Sequence, residues 1–154
     1  MEPLEFSDEL RRVLSEAREE ALRLEHEHIG TEHLLIALLH AGDEGDGGRG
    51  TPGPSIVALD TLGVDRKKLL RVLEETVLRG RATTPSDQIS YTSRAKAVLE
   101  LAMAEARVLK HGAVSTEHLL LGLVREERGI AAQMLLDYGV TTEKLRTELV
   151  RLLG

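Results

Sequence analysis

The chain has 154 residues, a formal net charge of −6 and no cysteine. That length suffices for one domain with a sizeable core. The absence of cysteine excludes disulfides, thiolate metal sites and cysteine nucleophiles, and the acidic balance argues against nucleic acid or an anionic membrane as main partner.

The N-terminal stretch MEPLEFSDEL is acidic and lacks the apolar core of a secretory signal, and no apolar run long enough to span a bilayer follows. A cytoplasmic protein is the expectation. Hydrophobic residues make up 42% of the chain but aromatics only 2%. The core must then be built from Leu, Val, Ile and Ala, which suits packed helices.

A first helix is expected from about Ser7 to Leu24. Leu10, Val13, Leu14, Ala17, Ala21 and Leu24 recur at three- and four-residue steps, and together they make one apolar stripe. Ser7 is the N-cap, with Asp8 and Glu9 in the first turn, where acids suit the helix dipole. A second helix is expected from Thr31 to about His40. A third runs over about Ser55–Leu62, with Gly63 as its C-terminal stop. A fourth covers Asp65–Arg79 and stops at Gly80. Four more follow: Thr92–Leu109, Thr116–Arg125, Gly129–Tyr138 and Thr141–Leu153. No strand is expected, because no sustained period-two alternation and no hairpin dipeptide occurs between apolar runs.

The second four helices repeat the first. With Thr31 laid on Thr116, residues 16–40 overlie 101–125, and eleven of the 25 positions are identical; roughly two are expected by chance. Phe6 falls on Tyr91 with the same offset. Farther on, Leu62-Gly63-Val64 matches Tyr138-Gly139-Val140 at a shorter offset, so the first repeat carries nine extra residues. These lie in the Gly/Pro-rich insertion 42–54, which cannot bury enough apolar area to offset its ordering entropy and reads as a surface loop. The expectation is one all-α domain, residues 1–154, of two pseudo-symmetric four-helix repeats. Repeat 1 covers about 4–80, a linker 81–90, and repeat 2 about 91–154. Each unit alone would have a thin core, so the two should pack together about a pseudo-twofold axis.

No enzymatic constellation is visible. The chain has neither a GxxxxGK[ST] phosphate loop nor a GxSxG elbow. His26-Glu27-His28 resembles a metal motif, but an HExxH helix would need histidine where Gly30 stands. His33 and His118, equivalent positions just inside their helices, read as hydrogen-bonded structural histidines. No catalytic residue, metal or cofactor is expected.

TEHLL occurs twice, at Thr31–Leu35 and Thr116–Leu120. One reading makes it a simple helix start: Thr caps, Glu faces the positive dipole end, and the leucines fill the core. The other adds a ligand. A carboxylate beside a helix N-terminus with uncommitted N–H groups can hold a guanidinium and a phosphate at once.

The segments 19–39, 91–111 and 115–135 carry a further signal. Together with the repeat arrangement, they resemble the paired N-terminal repeats of ClpC-type Clp ATPases over almost the whole chain. The resemblance implies a non-enzymatic recognition domain of an AAA+ protein unfoldase, in which substrate and adaptor proteins are partners and are delivered to a Clp protease. It also implies two phosphoarginine sites, carried by position onto Thr31 with Glu32 and Thr116 with Glu117. A stand-alone regulatory protein, competing for the same partners or docking on the Clp protease, is the alternative. Two departures stand out. Ser115 replaces the usual glycine before the second motif. The family's Arg-Glu-Gly-Glu-Gly turn reads Arg125-Glu126-Glu127-Arg128-Gly129 in the second repeat and is replaced by the insertion in the first. The first site is thus expected to be flanked by an unusual loop and the second to be altered by Ser115.

Overall fold

The computed structural model describes residues 4–43, 53–77 and 89–153. Among them are eight helices: α1 (Asp8–Arg23), α2 (Thr31–Asp43), α3 (Pro54–Thr61), α4 (Arg66–Thr76), α5 (Ser93–Val108), α6 (Thr116–Arg125), α7 (Ile130–Asp137) and α8 (Thr142–Leu153). The all-α class and the two four-helix repeats are as the pattern implies.

Helix α1 buries Leu10, Val13, Ala17 and Ala21 of the expected stripe, and the Ser7 hydroxyl accepts the Leu10 N–H. Thr92 caps α5 in the same way. Helices α2 and α6 are different in kind. From Leu34 to Leu39 and from His118 to Val124 every residue is buried, which marks helices surrounded by protein on all sides. They lie at the centre of one apolar cluster that draws on all eight helices.

Four short elements were not foreseen: the two-residue strands β1 (Glu5–Phe6), β2 (His28–Ile29), β3 (Ser90–Tyr91) and β4 (Ala113–Val114). Strands this short carry no alternation to read. Their pairing explains how the repeats interlock. β1 pairs with β4 and β2 with β3, each in parallel, so each repeat lends a strand to the other. The exchange carries on into the helices, where the Ser7 N–H donates to the Val114 carbonyl and the Thr92 N–H to the Ile29 carbonyl, both at 2.9 Å. Every central helix therefore begins beside the first helix of the other repeat.

Several boundaries move. α2 runs on to Asp43 and α3 opens at Pro54, so the insertion read as 42–54 is helical at both ends; its residues 44–52 lie outside the described residues, as do the Gly80 stop and 81–88 of the linker. Gly63 ends α3 at φ 82°, and Gly139 does the same after α7, in the left-handed region that glycine adopts at little cost. Helices α1 and α5 end on left-handed Glu25 (φ 58°) and Lys110 (φ 60°) instead. The His26 N–H then returns to the Ala21 carbonyl and that of His111 to Ala106, a six-to-one closure with no glycine to announce it.

Candidate functional site

The two TEHLL motifs do start helices, but threonine is not the cap. Leu34 N–H bonds the Gly30 carbonyl and Leu119 N–H the Ser115 carbonyl, so the helices open one residue earlier than a threonine cap requires. Ser115 is the N-cap of α6, and Thr116 is its first helical residue. A histidine supplies the reciprocal bond. Nδ1 of His33 accepts the Gly30 N–H and Nδ1 of His118 the Ser115 N–H, both at 2.8 Å. Each ring then turns Nε2 toward a second histidine: His26 Nδ1 lies 2.7 Å from His33, and His111 Nδ1 2.8 Å from His118. Because Nδ1 accepts, the proton sits on Nε2 in both rings. Burial, with the neighbouring histidine adding to it, lowers the pKa of His33 and of His118 from 6.5 to about 4. The rings are neutral near pH 7, and the 3.6 Å approach of His33 to Glu32 is no ion pair.

The threonines face the other repeat. Thr31, only 3% exposed, accepts the Ala131 N–H on Oγ1 at 3.4 Å and so helps to start α7. A Cβ on Gly129 would lie 2.9 Å from that oxygen, so glycine is needed for the approach. Thr116 Oγ1 meets the Ser55 hydroxyl at 3.3 Å, at the start of α3.

Three helix N-termini, those of α2, α5 and α7, converge at the first motif. They enclose a cleft of about 390 Å³ lined by Gly30, Thr31, Glu32, Thr92, Ser93, Arg94, Gly129 and Ile130. Ile130, 40% exposed, gives it one apolar wall. Glu32 folds its carboxylate over Gly30, so closely that a Cβ there would sit 2.3 Å from Oε1. The Arg94 guanidinium is exposed and has no acidic partner among the described residues. Arg94 and Ser93 also border a second cleft of about 480 Å³ with Arg125, Glu126 and Arg128. A ligand here would find a carboxylate, a guanidinium and helix-start N–H groups together, the set that suits a molecule bearing both signs.

The turn that borders the first motif is the one ending at Gly129 in the second repeat, and Ser55, near the start of α3, meets the second motif. Beside Thr116 the hydroxyls of Ser7 and Ser115 bond at 2.7 Å, and Ser115 carries the Cβ that Glu32's carboxylate leaves no room for at Gly30. Glu117 is half-buried and engaged by a neighbour. Sequence reasoning singled out Thr31, Glu32, Thr116 and Glu117 but missed Thr92, Arg94 and Ile130. The repeat alignment held the clue: it pairs Thr92 with the N-cap Ser7, and so Arg94 with Glu9.

The fold and the duplicated helix starts define a class, the interlocked double-repeat helical domain, and comparison with known proteins narrows it. The chain belongs to the family described as "Clp repeat (R) N-terminal domain", whose model matches residues 5–138 and 90–154. Over 149 residues, 97% of this chain, it is 44% identical to the negative regulator of genetic competence ClpC/MecB of Bacillus subtilis and 41% identical to the chaperone protein ClpB of Oceanobacillus iheyensis. It spans 17% of the length of each. The fold is shared with the Hsp104 N-terminal domain of Candida albicans (TM-score 0.77, 18% identity, 97% of this chain and 92% of that one). It is shared as well with the N-terminal domain of ClpD from Arabidopsis thaliana (TM-score 0.66, 20% identity, 97% of each chain). Among the described residues no helix is long and apolar enough to cross a membrane, and no group of three or more His, Asp or Glu is placed to hold a metal ion.

Proposed function

We propose that this domain is the substrate- and adaptor-recognition module of a ClpC-type AAA+ unfoldase in Clp-mediated proteolysis, and that it captures proteins marked with phosphoarginine. The carrying observation is the cleft at the start of α2, where Glu32 and Arg94 line one space with the N-termini of α2, α5 and α7. Glu32 takes the guanidinium N–H groups, while the helix-start N–H groups take the phosphate. Glu117, beside Thr116, holds a guanidinium at the equivalent start of α6. Thr31 and Thr116 shape the two sites by anchoring the opposite repeat. The domain's own role in this reading is binding; chemistry lies elsewhere in the assembly.

Calorimetric titration with phosphoarginine tests the reading. Glu32→Ala should weaken binding about ten- to a hundredfold, the cost of one charge-assisted pair, and the Glu32→Ala/Glu117→Ala variant should abolish it. Unchanged affinity in the double variant would sink the assignment.

A further inference from the structure

The outer face of α5 has no counterpart in α1. Arg94, Ala97, Leu101, Ala104 and Val108 recur at steps of three, four, three and four, which sets them in one stripe along the helix. The stripe runs beside the face that α5 buries with Ala95, Val98, Ala102 and Ala106. Val108 is 68% exposed, and Ala97, Leu101 and Ala104 are half-buried. The repeat offset lays these positions on Glu9, Arg12, Glu16, Glu19 and Arg23 of α1, a charged face. Val150 of α8, 45% exposed, extends the apolar area. It follows by one turn Arg146, which reaches Glu105 of α5. The counterparts of Val108 and Val150 in the first repeat are Arg23 and Glu74, and these lie within electrostatic reach: the Arg23 pKa is raised by its bond to Glu20 first and by the Glu74 charge as well.

Strict alternation of three- and four-residue steps is the seam of a paired helix. Leu101 and Val108 supply the knobs, and Ala97 and Ala104 leave room for a partner backbone. The charges beside the seam say which helix fits. Glu100 and Arg107 line one edge of it; both are exposed, and neither is in an ion pair among the described residues. In an antiparallel pair of α5 helices, Leu101 of each copy meets Ala104 of the other, and Ala97 meets Val108. In that register Glu100 of each copy faces Arg107 of the other, and the twofold axis makes the pair twice. The register one heptad away sets Glu100 against Glu100 and draws Arg94 into the seam. We infer that the α5 stripe is a self-association surface, on which a second copy of this chain docks its own α5 antiparallel. The stripe covers about four turns, so the contact belongs to the small interfaces and the dimer should dissociate on dilution.

Analytical ultracentrifugation of the 154-residue chain over a concentration series tests this. Wild type should pass from monomer to dimer, with no larger species. Leu101→Glu/Ala104→Glu should stay monomeric at every concentration. Both glutamates stand at the equivalent positions of α1, as Glu16 and Glu19, so this variant should keep the wild-type circular dichroism spectrum. Val108→Arg, at the most exposed position, repeats the test with the least risk to folding. Glu100→Arg and Arg107→Glu should each raise the dissociation constant about three- to thirtyfold, the loss of two exposed ion pairs. The Glu100→Arg/Arg107→Glu double variant should regain wild-type dimerisation, and a mixture of the two single variants should form a mixed dimer that neither forms alone. A wild-type chain still monomeric at about 1 mM would overturn the inference. So would a dimer that survives Leu101→Glu/Ala104→Glu, or single charge variants that dimerise like wild type. A monomer whose amides over 93–108 shift only on adding a foreign amphipathic helical peptide would assign the stripe to another partner and overturn it as well.

Discussion

The two repeats place the same residues at equivalent positions and use them differently. Glu20 and Glu105 are such a pair. Glu20 lies near the surface and pairs with Arg23, itself 57% exposed. Glu105 is 1% exposed and holds Arg125 of α6, at 3.0 Å, and Arg146 of α8, clamping three helices. Ala37 and Gly122 are equivalent positions that hold different residues. Ala37 fits into α2, whereas a Cβ on Gly122 would stand 2.5 Å from the Val98 carbonyl oxygen, so α6 sits closer to α5 than a methyl group allows. Duplication therefore copied the backbone plan and let side chains diverge wherever the interlocking left room. The divergence reaches the helix starts, where Arg94 at the start of α5 corresponds to Glu9 at the start of α1.

What the halves still share should produce the largest effect. His33 and His118 each accept a backbone N–H only while neutral, and each has its pKa lowered to about 4. The unfolded chain, with histidines near 6.5, binds more protons between those values, so stability is complete above about pH 6.5 and falls as pH drops toward 4. Each histidine should remove about 3 kcal/mol over that interval. Urea unfolding at successive pH values checks this, and a flat profile from pH 7 to 4 would contradict it. His118→Gln alone should flatten roughly half of the slope if the two sites are equal.

Next comes the buried clamp. Glu105→Ala should cost about 3 kcal/mol, the low end for a broken buried pair because both arginines are partly hydrated. Glu20→Ala should cost at most about 0.5 kcal/mol. Equal losses in thermal unfolding would mean that the ion triad does not distinguish the repeats. The smallest contrast is steric. Gly122→Ala should destabilise by about 2 kcal/mol through overpacking against α5, while Ala37→Gly should cost about 1 kcal/mol from helix propensity and a lost methyl contact.

Much of this was legible in the residues, for local reasons. The stripe of α1, the Ser7 cap and the Gly63 stop depend on neighbours within a turn or two, and periodicity exposes them. The buried stretches of α2 and α6 were visible as the apolar runs that begin in each TEHLL. Half of the site was legible too, since Thr31, Glu32, Thr116 and Glu117 sit in a repeated word. The threonine cap was misassigned because His33 and His118 reach back to the preceding N–H, and that leg needs the folded turn. Left-handed Glu25 and Lys110 escaped notice because neither is glycine.

By itself the sequence determined the helices, their duplication, the aliphatic core and the family. Only the tertiary structure decided which repeat completes which site. Two-residue parallel strands cross-link the halves without any pattern of their own, and they bring Arg94 and Gly129 to Glu32 from far along the chain. The fold also brings Ser55 to Thr116 and Ser7 to Ser115. Periodicity reports which face of an element is buried; it carries no information about which distant element covers that face, because that is set by pairing between segments more than sixty residues apart.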